Sequence, residues 1–270
     1  MARKSQREIK RQRNQLFIAI FVSAIILTIV GVFIYYTFFM PKVGQIDATS
    51  LCPAEGPKGH YVLLVDKTDP LTFTQNEAFS ITLREIIEKR TPEGYLLSVF
   101  LLGEDFKENA KPLVELCNPG TGADKSKFNA NLKQLKRQYQ ERFLNPLLEK
   151  SDLLLATKPA KTSPIFEMLQ LVAINAFRKH DVKGERRLII MSDMLHNTPQ
   201  FSMYKGPVDY QTFTISDYGR KSHLELPDVE VEIHYLINTP QLQTKRNVKF
   251  WEDYFNKAGA RIVAVQPLEG

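Results

Sequence analysis

The hydrophobic and polar positions of this chain fall into three regimes. Residues 16–40, LFIAIFVSAIILTIVGVFIYYTFFM, carry no charged side chain. From about residue 60, apolar runs of strand length alternate with stretches whose apolar residues recur at steps of three and four. Between them, residues 41–59 (PKVGQIDATSLCPAEGPKG) are rich in Pro, Gly and small polar residues and read as a tether. The strand-like runs are Tyr61–Asp66, Leu96–Leu102, Leu113–Leu116, Arg187–Ser192, Val229–Ile237 and Arg261–Val265. Helical spacing occurs at about 72–90 (Phe79, Leu83, Ile86, Ile87), 126–149 (Phe128, Leu132, Leu135, Tyr139, Phe143), 164–180 (Ile165, Leu169, Val172, Ala173, Ala176) and 244–258 (Val248, Trp251, Tyr254, Phe255).

This alternation predicts an α/β fold, a doubly wound and mostly parallel sheet covered on both faces. Only GEDFKENAKP separates the second and third strands, too little for a helical crossover. The third strand should therefore return antiparallel as a hairpin, giving one antiparallel edge strand. The stretch 194–228 contains Phe201, Tyr204, Tyr210, Phe213 and Tyr218 but no sustained helical period.

The uncharged run changes the picture from soluble to membrane-anchored. About 20 residues at 1.5 Å rise span a hydrocarbon core, so 16–40 is long enough to cross once. Tyr35, Tyr36, Phe38 and Phe39 gather at its end as an interfacial belt would. A cleaved signal has an apolar region of only about 7–15 residues and a small-residue cleavage site. This run is longer and ends in bulky YYTFFMPK. The expected division is a basic tail over 1–15, a transmembrane helix over 16–40, the tether over 41–59, and one domain over 60–270.

Charge supports that topology. The chain carries +6, but Arg3, Lys4, Arg7, Lys10, Arg11 and Arg13 against Glu8 put +5 of it in the tail and leave +1 for the rest. A near-neutral body lacks the electrostatic footprint of a nucleic-acid binder. A cationic tail stays cytoplasmic by the positive-inside bias, which sends the body across. In a bacterium that means an inner-membrane anchor and a periplasmic domain. The only two cysteines, Cys52 and Cys117, both follow the anchor, and an isolated pair in an oxidising compartment reads as a disulfide. The other reading is two buried thiols; no CxxC spacing or His cluster points to zinc.

Three short stretches carry candidate chemistry: VDKTDP after the first strand, AKTSPIFEML before a helix, and RRLIIMSDML closing the fourth strand. Together with the element order over about residues 60–267, they resemble a von Willebrand factor type A (VWA) domain. That family bears a metal-ion-dependent adhesion site built from Asp-x-Ser/Thr-x-Ser, a Thr in a second loop and an Asp after the fourth strand. The resemblance implies Asp66 and Thr68 from the first loop, Thr162 or Ser163 from the second, and Asp193 from the third, around Mg²⁺ or Mn²⁺. Hard cations of this kind take oxygen ligands with water completing the shell. Pro70 stands where the family has its second hydroxyl, so the site is degenerate; Asp69, one residue earlier, is the only compensating oxygen source. Without a metal, Asp66 and Asp193 would act as caps on adjacent loops, and Thr162 or Ser163 as a helix N-cap.

The function implied is a membrane-tethered, non-enzymatic protein-binding module of an envelope-associated complex, using a divalent cation. Asp69, Phe201, Tyr204, Tyr210 and Phe213 are its candidate partner contacts, because aromatic residues are enriched in interface cores. Two alternatives stand beside it. One is a metal-free structural or interaction subunit. The other is a haloacid-dehalogenase-like phosphohydrolase with Asp66 as nucleophile and Ser192 ending a later strand. In the second case Thr68 occupies the position of the required acid/base and cannot transfer the proton. GxSxG, HExxH and GxxxxGK[ST] motifs are absent.

The topology is testable directly. Protease added outside intact spheroplasts should digest the domain and leave the tail; a domain protected from that protease contradicts the orientation.

Overall fold

A computed structural model describes residues 6–38, 46–122, 132–157 and 159–268. The chain divides into two compact units, one holding the N-terminal helix and one holding everything described from residue 46 on. The first unit is α1, Gln6–Phe38. Its segment Leu16–Tyr36, 21 residues, is long and apolar enough to cross a membrane and has no residue buried against other protein. At 1.5 Å per residue this segment reaches about 30 Å, the thickness of a hydrocarbon core. Two of its hydroxyls are satisfied within the helix: Ser23 donates to the Ala19 carbonyl and Thr28 to that of Ala24, each at 2.8 Å.

The second unit is a six-stranded sheet. Its strands are β1 (His60–Asp66), β2 (Leu96–Leu102), β3 (Val114–Cys117), β4 (Arg186–Ser192), β5 (Glu230–Leu236) and β6 (Arg261–Leu268). They lie in the order β3-β2-β1-β4-β5-β6. All neighbours run parallel except β2 and β3. The short second connection thus does make a hairpin with an antiparallel edge strand. Central β1 is buried along its whole length, which is why its sequence is continuously apolar rather than alternating.

Side-chain alternation divides that burial between two cores. Val62 and Leu64 join one, with Leu188 and Ile190 of β4; Tyr61, Leu63 and Val65 join the other, with Ile189 and Met191. Helices α2 (Phe73–Glu85), α4 (Asn145–Glu149) and α5 (Ser151–Leu155) pack on the second face, and α3 (Leu132–Gln138), with no buried residue, precedes α4. Helix α2 begins at a Thr72 N-cap: Thr72 Oγ1 accepts from Gln75 N at 3.2 Å and Gln75 Oε1 from Thr72 N at 3.0 Å. A widened turn, Ile86–Arg90, prolongs it. Of the helix expected over 126–149, Phe128 lies outside the described residues, and the remainder runs from Leu132 through a widened turn at Tyr139–Leu144.

The first face is covered by α6 (Ile165–Val172), extended through Ala173–Arg178, and by the short α7 (Tyr210–Ile215) and α8 (Asp217–Lys221) together with α9 (Lys245–Lys257). Trp251 is the core anchor expected of it, fully buried, its indole N–H donating to the Met194 carbonyl at 2.8 Å. Helices α7 and α8 are too short to print a helical period, so 194–228 shows none in sequence. Asp209 and Ser216 cap them.

Residues 46–59, read from composition as a tether, pack on this unit. Leu51 is buried, Ser50 O accepts the backbone N–H of Cys117 at 2.8 Å, and Cys52 is bonded to Cys117 with Cα atoms 4.7 Å apart. The bond sits beside the outer edge of β3. It closes a loop with a sequence separation of 65, which by the chain-entropy argument stabilises the fold by about 4 kcal/mol. The Cys52→Ser, Cys117→Ser double variant should lose about that much in denaturant unfolding, and non-reducing peptide maps of the native protein should show the linked pair. Two alkylatable thiols in native material would contradict it.

Candidate functional site

After β1 the chain goes to β2 on one side, then returns to β4 on the other, so the strand order reverses between β1 and β4. Ligand sites in open α/β sheets form at this point, where the loops leaving the two strands part. Asp66 ends β1, and Ser192 ends β4 with Asp193 next.

Asp66 is almost wholly buried and both its oxygens are engaged. Oδ1 accepts from Thr68 N at 2.9 Å and from Thr68 Oγ1 at 2.6 Å; Oδ2 accepts from Ser192 Oγ at 2.7 Å. The first loop therefore folds back on its own acid, and the fourth strand's terminal hydroxyl fastens it from the side. Asp193 is 1% exposed. Its Oδ1 accepts from Leu195 N at 2.9 Å and its Oδ2 from the Tyr204 hydroxyl at 3.2 Å. Gln243 holds the backbone there, donating to the Asp193 carbonyl at 3.1 Å and to that of Leu236 at 2.6 Å. Met194 takes a left-handed conformation, φ 55°, to turn the chain out of β4. Asp69, three residues after Asp66, is half-buried.

The electrostatics follow from this crowding. Burial pushes the Asp66 carboxyl from its ordinary 3.8 up to about 6; hydrogen bonds from Ser192 and Thr68 oppose the rise and the charge of Asp69 adds to it. Burial, then Asp66 and Asp69, push Asp193 well above the carboxylate range. Burial also raises Asp69. Among the described residues, the largest influences on the three include no lysine or arginine.

The second loop joins the first and third through its backbone. Ala160 N donates to the Thr68 carbonyl at 2.9 Å, while Ser163 and Asn197 exchange backbone bonds of 2.7 and 3.0 Å. The structure separates the two hydroxyls left open by sequence. Thr162 Oγ1 turns away to the Glu104 carbonyl at 3.4 Å. Ser163 is buried and its Oγ has no partner. Neither caps α6, whose cap position is Pro164. The arrangement brings together Asp66, Thr68, Asp69 and Asp193, with the Ser163 loop bonded to the loops on both sides.

Two further participants were not assigned to this site from sequence. Ser192 was considered only for a phosphatase, yet it links the two acids' strands; its adjacency to Asp193 at a strand end was the available signal. Tyr204 was expected on a partner face, and it is 41% exposed, but its hydroxyl is spent on Asp193. The other aromatics of 194–228 point inward. Phe213 is buried against Phe166 with ring centroids 4.9 Å apart, Phe201 stacks on Tyr218 at 5.5 Å, and Tyr210 lies edge-on to Phe250 at 5.6 Å. Phe213 thus contributes core rather than a partner contact, because α6 and α9 present an aromatic face that this segment covers.

No protein-family model matches the chain, and no curated protein does. Among solved structures the chain is distantly similar to the VWA domain of SpRpn10, with TM-score 0.36 and 8% identity over 79% of this chain and 88% of that one. It is similar to the same degree to an aerotolerance-related membrane protein from Bacteroides fragilis NCTC 9343 carrying multiple mutations to serine, with TM-score 0.35 and 8% identity over 78% of this chain and 91% of that one.

A raised carboxyl pKa means the folded state holds a proton that the unfolded state has released, so stability falls as pH rises through that interval. In chelator, stability should fall between about pH 4 and 6 as Asp66 ionises, and continue to fall above pH 6 because of Asp193. Asp66→Asn should flatten the first part and raise stability at pH 7 by on the order of 2 kcal/mol. Urea unfolding across pH checks this; an unchanged slope in Asp66→Asn contradicts it.

Proposed function

We propose that this chain is a membrane-tethered protein-binding module whose recognition face is the edge of the sheet carrying Asp66, Asp69 and Asp193. The observation that carries the reading is a group of acids at the switch point of the sheet whose largest influences, among the described residues, include no basic side chain. Such a group is completed by a proton or by a cation from outside. A divalent cation held there would leave coordination positions for water and for a carboxylate of the partner.

The donor chemistry suits Mg²⁺ or Mn²⁺, since every candidate is an oxygen: the carboxylates of Asp66, Asp69 and Asp193, the hydroxyls of Thr68 and Ser163. The unpartnered buried Ser163 Oγ is what a second-loop ligand would look like before its cation arrives. Among the described residues no three His, Cys, Asp or Glu side chains are arranged to hold a metal ion. The cation would therefore rest on hydroxyl and water oxygens as much as on carboxylates, and Asp66 would have to release Thr68 or Ser192. Thr162, spent on Glu104, is set aside in favour of Ser163.

The second reading is a metal-free interaction subunit, favoured by the burial that holds Asp193 well above the carboxylate range: a proton then stands in for the cation permanently. The phosphohydrolase reading finds no support at Asp66, which is 5% exposed and accepts hydrogen bonds on both oxygens. In-line attack requires a free, reachable lone pair. For placement, we take the basic tail to be cytoplasmic and the domain periplasmic.

Calorimetric titration of the detergent-solubilised chain with Mg²⁺ and Mn²⁺ decides between the two readings. Millimolar or tighter binding, lost in Asp66→Ala and in Asp193→Ala without loss of fold, is the expected result. Absence of binding by the wild-type chain establishes the metal-free subunit instead.

A further inference from the structure

The donors that satisfy Asp66 and Asp193 are not all held alike. Thr68, Ser192 and Leu195 are themselves buried. Tyr204 is the exception: its hydroxyl donates to Asp193 Oδ2, yet the residue is 41% exposed. The bonds differ in length as well. Those from the Thr68 and Ser192 hydroxyls to Asp66 measure 2.6 and 2.7 Å, ordinary for O–H···O, whereas the Tyr204 bond is 3.2 Å, longer than that class usually spans. The longest of these hydroxyl bonds thus belongs to the donor that reaches solvent.

Little else holds the Tyr204 ring. Phe201, Tyr210, Phe213 and Tyr218 of the same segment each lie against other rings, but among the described residues no such ring contact involves Tyr204. Its backbone is the fixed part. Tyr204 N donates to Ser202 Oγ at 3.3 Å, and the adjacent Met203 is buried and donates its N–H to the His196 carbonyl at 2.9 Å. The side chain can therefore change rotamer while the turn Met203–Lys205 stays in place. Burial, then Asp193, Asp69 and Asp66, raise the Tyr204 pKa, so the phenol keeps its proton and acts as a donor. All three acids act on this one hydroxyl, which places it among them.

We propose that Tyr204 is the gate of the acid site: its phenol covers Asp193 Oδ2 and swings outward to admit a hydrated divalent cation. Asp193 Oδ1 is tied to the Leu195 N–H, in a turn that Gln243 and Trp251 fasten through the Asp193 and Met194 carbonyls. Oδ2 is the oxygen that a single side-chain rotation frees. Thr68 and Ser192 cannot leave Asp66 in this way, because each is buried. Asp69 is partly exposed and needs no gate. The inference rests on the cation reading for what the gate admits; the cover over Asp193 stands apart from that reading.

The test labels carboxyls of the full chain in detergent with a water-soluble carbodiimide and glycine ethyl ester. Peptide mass spectrometry reads Asp193 relative to Asp228, whose side chain is 91% exposed. In chelator, Tyr204→Phe should label Asp193 severalfold faster than wild type. Tyr204→Ala should label it faster still, by about tenfold or more, the gain expected on removing a cover that is open a tenth of the time or less. Both variants lose the donor alike, so the excess in Tyr204→Ala reads the cover itself. Tyr218→Phe should label Asp193 as wild type does. Tyr218 lies in the same segment but serves elsewhere, its hydroxyl donating to Glu167 Oε1 at 2.6 Å and standing 2.9 Å from His196 Nε2, so it controls for loosening of the segment as a whole. Mg²⁺ should protect Asp193 in wild-type protein. Labelling unchanged by both Tyr204 variants, equal in Tyr204→Phe and Tyr204→Ala, or raised as much by Tyr218→Phe overturns the gate. Labelling that depends on Tyr204 without protection by Mg²⁺ supports the gate and overturns the cation reading instead.

Discussion

Asp66 ends β1 and Asp193 follows the end of neighbouring β4, and both acids are buried there. The loop that leaves β1 then turns back so that Thr68 binds Asp66, and the charge of Asp69 raises both Asp66 and Asp193. Like charges this close in a poorly solvated place repel by several kcal/mol unless neutralised. Every feature of the cleft answers that constraint. Ser192 and Thr68 donate to one acid, and Leu195 N–H and Tyr204 to another. The donors moderate the repulsion without supplying charge.

The rest of the domain holds this arrangement rigid. Continuous apolar strands β1 and β4 bury both faces, so their C-terminal ends cannot slide relative to one another without exposing a core. Gln243 and Trp251 each fasten the turn after β4 through a backbone carbonyl, Asp193 and Met194 respectively. Gln75 links the start of α2 to Asn238, beyond β5, at 3.0 Å. The disulfide stabilises the far edge of the sheet by restricting the unfolded chain. Strain at the cleft is thus carried by a scaffold whose stability is generated elsewhere.

Much of this was legible in the sequence because it rests on local, periodic signals. The strand cores, the hairpin forced by a ten-residue connection, the apolar helix and the cysteine pair all follow from spacing and composition. What was not legible depends on side-chain direction in loops. Nothing in TSPI indicates that Thr162 points to Glu104 while Ser163 turns inward. The segment 194–228 shows no period because α7 and α8 are too short to print one, and only the packing of Phe213 on Phe166 identifies Phe213 as core. The Glu167–Tyr218–His196 chain joins residues from three separate segments, which no local pattern can anticipate.

The central claim is that the acid cluster holds a proton where it lacks a cation. Isotope-edited infrared spectroscopy of the chain labelled at aspartate carboxyls measures this directly. At pH 7 in chelator the account predicts a protonated carboxyl band that disappears in Asp193→Asn and converts to carboxylate on addition of Mg²⁺. A wild-type spectrum with every aspartate ionised in chelator at that pH would contradict it.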